Sequence, residues 1–523
     1  MRGAVAAGHP LTAEVGAEVL REGGNAVDAC IAAAFASWVA ESPLTGPGAG
    51  GFLLVRTASG SVRLLDFFAA VPGRGLRASP HEMEEIDVEF DRDTSQIFRI
   101  GAASCAVPGA IAGLEAAHRA YARLPWARLL EPAVAAAREG VELTRPQAYL
   151  HAILDLILRH TEAGREVYGP GGTRLLAGAR LVMPELATTL ETLAEQGAAA
   201  FYQGELGRRV SRYVRAEGGS ITEADLAGYR VIARRPVRAA FAGHEFVSNP
   251  PPSSGGVLIG YALHLFARLG AGGPPGSAGA IALLAEVMRE QTRARGGSFV
   301  SELYRGGLAG RLYQEERIGA ALGRISERRP GRSERAGSPG TTHVSVVDAA
   351  GNAASLTASN GSGSGVIVPG TGIHLNNMLG EYDLNPAGNG RSGRGATSGR
   401  RLTSMMAPSL VLREERPRLV VGSAGSVRLR GAILQIVLNV ALHGMSVSEA
   451  IDAPRIHVEE PHVHCEGGSD PAQLDRLESW GYELVRWRRR NLYFGGAAAV
   501  ELRADGSLAA AGDPRRGGHG VVV

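Results

Sequence analysis

Thr341 and Thr342 open a stretch in which small or polar side chains alternate with valine: Gly340-Thr341-Thr342-His343-Val344-Ser345-Val346-Val347-Asp348. That period of two predicts a strand. Asp348-Ala349-Ala350-Gly351-Asn352 carries turn chemistry, and Ala353 to Thr357 reads as the returning strand of a hairpin. Upstream, Arg324 to Gly340 is rich in Arg, Ser, Gly and Pro and nearly devoid of large apolar side chains. Such a segment buries too little surface to offset its ordering entropy, which predicts an exposed, mobile tail. A tail ending in glycine, followed by a strand starting in threonine, is what a self-processing amidase precursor requires. Cleavage of the Gly340–Thr341 bond would make Thr341 an amino terminus and its hydroxyl a nucleophile. The base would be its own α-amine, which titrates near ~7.7–8.0. Gly340 favours the cut because a residue without Cβ leaves its carbonyl open and tolerates a strained turn. On pattern alone, threonines at a strand start are also ordinary β-propensity.

The elements that must position this hairpin are legible on both sides of it. Leu11 to Val39 reads as helical, with Leu11, Val15, Val19 and Leu20 on one face; Gly23-Gly24-Asn25 breaks it, and Ala26 to Val39 is a second, very apolar and buried helix. Gly46-Pro47-Gly48-Ala49-Gly50-Gly51 follows, then a strand from Phe52 to Arg56 and another from Arg63 to Phe68. A dinucleotide fingerprint needs strand, glycines, helix; here the order is helix, glycines, strand, so the glycines are read as close-packing positions. The acidic residues Glu82, Glu84, Glu85, Asp87, Glu89 and Asp91 read as a solvated loop. Helical patterns dominate Leu114 to Gln203 and Val257 to Leu322. After the hairpin come a loop over Gly361 to Gly365, strands at Val366 to Val368, Leu410 to Leu412 and up to Ser426, and a helix from Gly431 to Leu442. Asn385 to Arg400, rich in Gly and Arg, is a candidate lid.

Composition bounds the function. The chain has 523 residues, 45% hydrophobic, ample for a large core. A net charge of +3 gives no electrostatic case for nucleic acid or membrane partners. Three scattered cysteines, Cys30, Cys105 and Cys465, argue against a disulfide framework. His462-Val463-His464-Cys465 is a weak metal signal, and neither a metal nor a cofactor is expected. No apolar run reaches transmembrane length, and the N-terminus lacks a long apolar core, so the expected location is cytoplasmic.

Thr341-Thr342-His343-x-Ser345-Val346-Val347-Asp348-x-x-Gly351-Asn352-Ala353 resembles the processing site of the γ-glutamyltranspeptidase family of N-terminal-nucleophile hydrolases. Further matches, in the family's order, include Glu22 to Ala29, Val107 to Gly113, Pro250 to Gly256 and Gly512 to Gly518. The resemblance implies a four-layer αββα sandwich of the α/β class. It also implies a precursor cut into a large subunit, 1–340, and a small catalytic subunit, 341–523, together forming one unit. It places the nucleophile on Thr341, the oxyanion hole on Gly425 and Ser426, and the second hydroxyl beside the nucleophile on Ser359. Ser426 stands where the family has glycine; the role survives unless the turn demands positive φ there. Asn360 and Glu381 match residues that bind the substrate's polar groups, and Thr403-Ser404 match a serine pair that holds its α-carboxylate.

Two positions depart from the family. Asp66-Phe67-Phe68-Ala69 puts Phe68 where an arginine holds the glutamyl α-carboxylate, and Met378 replaces a nearby glutamine. A phenyl ring has no substitute for a bidentate guanidinium. The implied activity is acyl transfer from a γ-glutamyl amide, glutathione-like, to water or an amine. The alternatives are an acylase for another short acyl group, oxamate-type or a β-lactam side chain, and a non-catalytic scaffold on the same fold.

Overall fold

The computed structural model describes residues 2–76, 80–91, 94–327, 340–381 and 397–523. Two antiparallel sheets form its centre. The seven-stranded sheet runs, edge to edge, His519–Val522, Gly3–Ala7, Thr342–Asp348, Ala353–Ser359, Gly50–Arg56, Val62–Phe67 and Ile232–Arg234. The six-stranded sheet runs Leu508–Gly512, Gly496–Leu502, Arg416–Ala424, Ser409–Arg413, His244–Ser248 and Val237–Phe241.

Alternation along the strands sorts side chains into layers. Val5, Ala7, Leu53, Val55, Val344 and Val346 face outward onto Pro10–Arg21 and Ala26–Ala40. Their neighbours Ala4, Ala6, Phe52, Leu54 and Val347 face inward and meet Leu410, Leu412, Val420, Ala498 and Val500 of the other sheet. The far side of that second sheet, through Val411, Leu419, Val421, Ala497 and Ala499, packs on the helices Gly255–Leu269 and Arg428–Ala441. The result is the four-layer αββα sandwich. Ala26–Ala40 is buried at every residue and opens with a capping box between Asn25 and Asp28.

The glycine run before Gly50–Arg56 does pack backbones closely: a Cβ on Gly48 would stand 2.3 Å from the His374 carbonyl oxygen, and one on Gly51 2.5 Å from that of Thr357. The threonine hairpin occupies the third and fourth strands of the larger sheet, with Thr342 opposite Ala358. A polar seam crosses the apolar layer beside it. The His343 ring, buried and held neutral with its pKa driven down to about 3, bonds Thr357 Oγ1 at 2.8 Å and Ser345 Oγ at 2.9 Å.

Two expectations are corrected. The acidic stretch is a β-hairpin, Glu84–Asp91 with Thr94–Ile100, because Val88, Phe98 and Ile100 alternate into the core while the carboxylates at 84, 85 and 87 stay outside. The tail does not start at Arg324: the helix Glu315–Ser326 continues through it, and Arg324 Nη2 pairs with Glu290 Oε2 at 2.7 Å. The rest of the tail, 328–339, and most of the candidate lid, 385–396, lie outside the described residues. His462–Cys465 is a strand whose His464 Nδ1 accepts a hydrogen bond from Trp487 Nε1 at 3.2 Å. The three cysteines are unpaired and buried. Among the described residues no helix is long and apolar enough to cross a membrane.

Candidate active site

Gly340 enters the sheet through a gap that admits no side chain: a Cβ there would lie 1.3 Å from the Gly361 carbonyl oxygen. The next residue, Thr341, is 6% exposed. Its Oγ1 donates to Ser359 Oγ at 3.3 Å, across the hairpin. Ser359 Oγ in turn donates to the carbonyl oxygen of Gly340 and accepts the Gly361 N–H at 2.8 Å. One hydroxyl thus touches both the candidate nucleophile and the bond it would attack. The register of the two strands is what delivers it, since Ser359 is the last residue of the returning strand and Thr342 the first of the outgoing one.

The loop after Ser359 gathers the polar candidates. Asn360 is fully buried; its N–H donates to the Leu44 carbonyl at 2.9 Å, and its side-chain amide has no partner among the described residues. Glu381 Oε1 accepts the Ser362 N–H at 3.3 Å, an N–H that Asn377 Oδ1 also accepts at 3.0 Å. Ser359, Asn360 and Glu381 therefore converge on one turn, Asn360 to Ser362.

Gly425 and Ser426 follow Ala424, which lines the same narrow cavity as Thr341. They lead into the helix Arg428–Ala441 with positive φ at both residues, +120° and +52°. The turn does demand positive φ at Ser426, and the condition set from the sequence is corrected: serine adopts the left-handed region at a cost of roughly 1 kcal/mol and still presents its N–H, so positive φ alone does not remove the donor.

Thr403 and Ser404 are both buried. Ser404 is pinned by its backbone, accepting from Ser254 N at 2.7 Å, while its Oγ accepts from Met406 N at 3.0 Å. Leu402 N donates to the Ala69 carbonyl at 3.0 Å, so this segment and the end of the Phe68 strand are neighbours. Phe68 itself is 0% exposed and stacks on Phe52 with centroids 5.4 Å apart. It shares one apolar cluster with Met378, Leu402 and Met406. Both departures from the family have therefore become parts of a single apolar core. Arg401, next in sequence to Leu402, is engaged: it pairs with Asp66 at 3.1 Å and lies over the Tyr229 ring.

Two buried charges beside Thr341 lie outside the sequence-based expectations. Arg516 Nη1 donates to the Thr341 carbonyl at 3.3 Å, and Glu41 accepts from Thr342 Oγ1 at 2.5 Å. Arg516 falls within a family-like run in the sequence, whereas Glu41 is a single acid at the end of an apolar helix. Among the described residues no group of three or more His, Cys, Asp or Glu could hold a metal.

Similarity to known proteins gives the family. A family model described as Gamma-glutamyltranspeptidase matches residues 12–523. The chain is similar to an acylase ACY 1 proenzyme of Pseudomonas sp. (strain SE83), 34% identical, with 100% of this chain and 94% of the relative covered. It is also similar to a glutathione hydrolase proenzyme of Escherichia coli (strain K12), 30% identical, covering 98% and 90%. Its fold matches a crystal structure of cephalosporin acylase from Bacillus halodurans with a TM-score of 0.84, 24% identity and coverage of 99% and 95%. With a family match spanning nearly its whole length, the chain belongs to the gamma-glutamyltranspeptidase family of N-terminal-nucleophile amidohydrolases.

Proposed function

We propose that the chain cuts its own Gly340–Thr341 bond and that Thr341, so freed, hydrolyses or transfers the acyl group of small amides. The observation that carries this reading is the hydroxyl pair: Thr341 Oγ1 lies 3.3 Å from Ser359 Oγ, which also donates to the Gly340 carbonyl. In the precursor, Thr341 Oγ attacks that carbonyl, the C–N bond breaks, and the chain is left as an ester with a free amine. Water hydrolyses the ester, giving a Gly340 carboxylate and an N-terminal threonine. In turnover, Thr341 Oγ attacks the substrate carbonyl and its proton passes to the α-amine. The N–H groups of Gly425 and Ser426 hold the oxyanion, each such donor being worth a factor of ~100–1,000. The ammonium then protonates the leaving amine, and water or a second amine releases the acyl group.

For the acyl group, Asn360 and Glu381 support a γ-glutamyl donor such as glutathione, with Glu381 facing the substrate ammonium and Thr403 and Ser404 its carboxylate. A second reading, a short acyl group without the glutamyl carboxylate, is favoured by the enclosure of Phe68 and Met378 in one apolar cluster. The 34% identity to a protein named an acylase points the same way.

The test is intact-mass spectrometry of the purified chain and its Thr341→Ala variant, followed by assay on a γ-glutamyl anilide and on anilides of neutral short acyl groups. Two fragments with Thr341 as a new terminus in the wild type, and one uncut chain in Thr341→Ala, are expected. Wild-type protein that stays uncut, or a variant that is still cut, would remove Thr341 from its role.

A further inference from the structure

The cavity beside Thr341 holds two buried charged groups that the steps above do not use. Glu41, 1% exposed, accepts hydrogen bonds from Thr12 Oγ1 at 2.9 Å and from Thr342 Oγ1 at 2.5 Å. Gly8 makes room for it, since a Cβ at Gly8 would stand 2.3 Å from Glu41 Oε2. Arg516, also buried, donates Nη1 to the Thr341 carbonyl at 3.3 Å. Both line the same narrow cavity as Thr341, Ala424 and Asp513. The Thr341–Thr342 unit is therefore gripped at its carbonyl by Arg516 and at its second side chain by Glu41.

Taking Thr341 as the nucleophile, a reading on which this step rests, we infer that Glu41 and Arg516 are positioning residues that fix the Thr341–Thr342 unit and set the charge around the freed amine. Each contacts Thr341 or Thr342 and acts through that contact. Burial lifts the Glu41 carboxyl to about 7, against the hydrogen bonds from Thr342 and Thr12 and the charge of Arg516. Burial also lowers Arg516, to about 10. The groups around Glu41 come from three sides. The C-terminal turn supplies Arg516 and Asp513, the latter already paired with Arg455 at 2.7 Å and Arg515 at 3.1 Å. The helix Pro10–Arg21 supplies the uncharged Thr12, and its N-cap His9 is kept neutral by burial at about 4. The strand supplies the uncharged Thr342. Glu41 is thus the member of this set whose charge changes across neutral pH.

A carboxylate behind an amino terminus raises the pKa of the amine, and removing it lowers that pKa. Because the amine works as a base only when unprotonated, Glu41→Gln should move the acid limb of the kcat/KM profile to lower pH. The side-chain oxygen of Gln still accepts from Thr342, so its position is kept. A group that merely filled space would leave the profile where it was.

The experiment uses the full chain as wild type, Glu41→Gln, Glu41→Ala, Thr342→Val and Thr342→Ser. Self-cleavage is read by intact mass, and pH profiles are read on whichever γ-glutamyl or neutral acyl anilide the wild type hydrolyses. Glu41→Gln should be cut and show its acid limb displaced downward by about half a pH unit or more. Glu41→Ala and Thr342→Val should each lose roughly tenfold or more in kcat with little change in KM, and Thr342→Ser should restore it. Should Glu41→Ala not fold, the two Thr342 variants decide the question. A Glu41→Gln profile superimposed on the wild type, or Thr342→Val within twofold of wild-type kcat, overturns the inference while the nucleophile reading stands. An uncut, inactive wild type, or an active Thr341→Ala, overturns that reading and this inference with it.

Discussion

The two sides of the candidate site have been built by opposite means. On the nucleophile side, Ser359, Asn360, Glu381 and Asn377 crowd one turn, and most of their polar atoms are tied to backbone N–H or carbonyl groups. On the facing side, two positions where the family carries polar groups are Phe68 and Met378, folded into the same layer that joins the sheets. Thr403 and Ser404 are polar, and the Ser404 hydroxyl accepts the Met406 N–H. Under the function proposed above, the contrast means that bond cleavage and the choice of acyl group rest on separate sets of residues. The first would need a fixed hydroxyl, which the hairpin register supplies in Ser359, and fixed N–H donors, which the turn at Gly425 and Ser426 would supply. The second would rest on positions such as 68 and 378, which here belong to the apolar core.

The comparison can be broken most severely at its shared origin. Gly340→Ala puts a methyl group into the Gly361 carbonyl. Self-cleavage should slow by a factor of about 100 or more as the scissile carbonyl is displaced from Ser359, read as the persistence of uncut chain over time. On the apolar side, Phe68→Ala should cost about 3–5 kcal/mol of stability, seen in a denaturant melt, because its ring is fully buried. If the loss is under about 1 kcal/mol, Phe68 is a pocket wall and not a core residue. On the polar side, Glu381→Gln should lower kcat/KM for a γ-glutamyl anilide by roughly 2 kcal/mol, about 30-fold, and leave a neutral acyl anilide unchanged. Equal losses on both substrates would assign Glu381 to the architecture of the turn. The smallest effect is expected at Ser426→Gly, which relieves the left-handed backbone at the cost of a more flexible unfolded chain; stability should change by no more than about 1 kcal/mol, with kcat within a few-fold.

Much of this was legible in the chain because it is local. The strand period around Val344 and Val346, the turn at Gly351-Asn352 and the apolar run Ala26 to Val39 each fix an element without reference to the rest. Ser359, by contrast, comes from the family resemblance, and the strand register gives the physical reason it stands beside Thr341. What escaped depends on residues meeting from afar. Glu84 to Asp91 looked like a loop because carboxylates dominate the eye, yet Val88 opposite Gln96, with Phe98 and Ile100 following, carried the strand signal. Glu41 is one acid after a helix of small apolar residues, and only the three-dimensional meeting of Thr12, Thr342 and Arg516 gives it a purpose. The backbone angle of Ser426 could be posed as a condition from the sequence but settled only in the folded turn.

The strand order has a thermodynamic corollary. Both sheets combine strands from before and after Gly340: Gly3–Ala7 lies between His519–Val522 and Thr342–Asp348, and His244–Ser248 lies beside Ser409–Arg413. Cutting at Gly340 leaves those ladders whole, so the folded molecule changes little. Its unfolding changes in kind. The intact precursor melts to one chain and its midpoint is independent of concentration, whereas the processed form melts to two, and its midpoint should rise with protein concentration by mass action. Refolding of the processed form becomes a second-order encounter between fragments, neither of which owns a complete sheet. Self-cleavage would thus make the stability of the fold depend on the concentration of its two fragments.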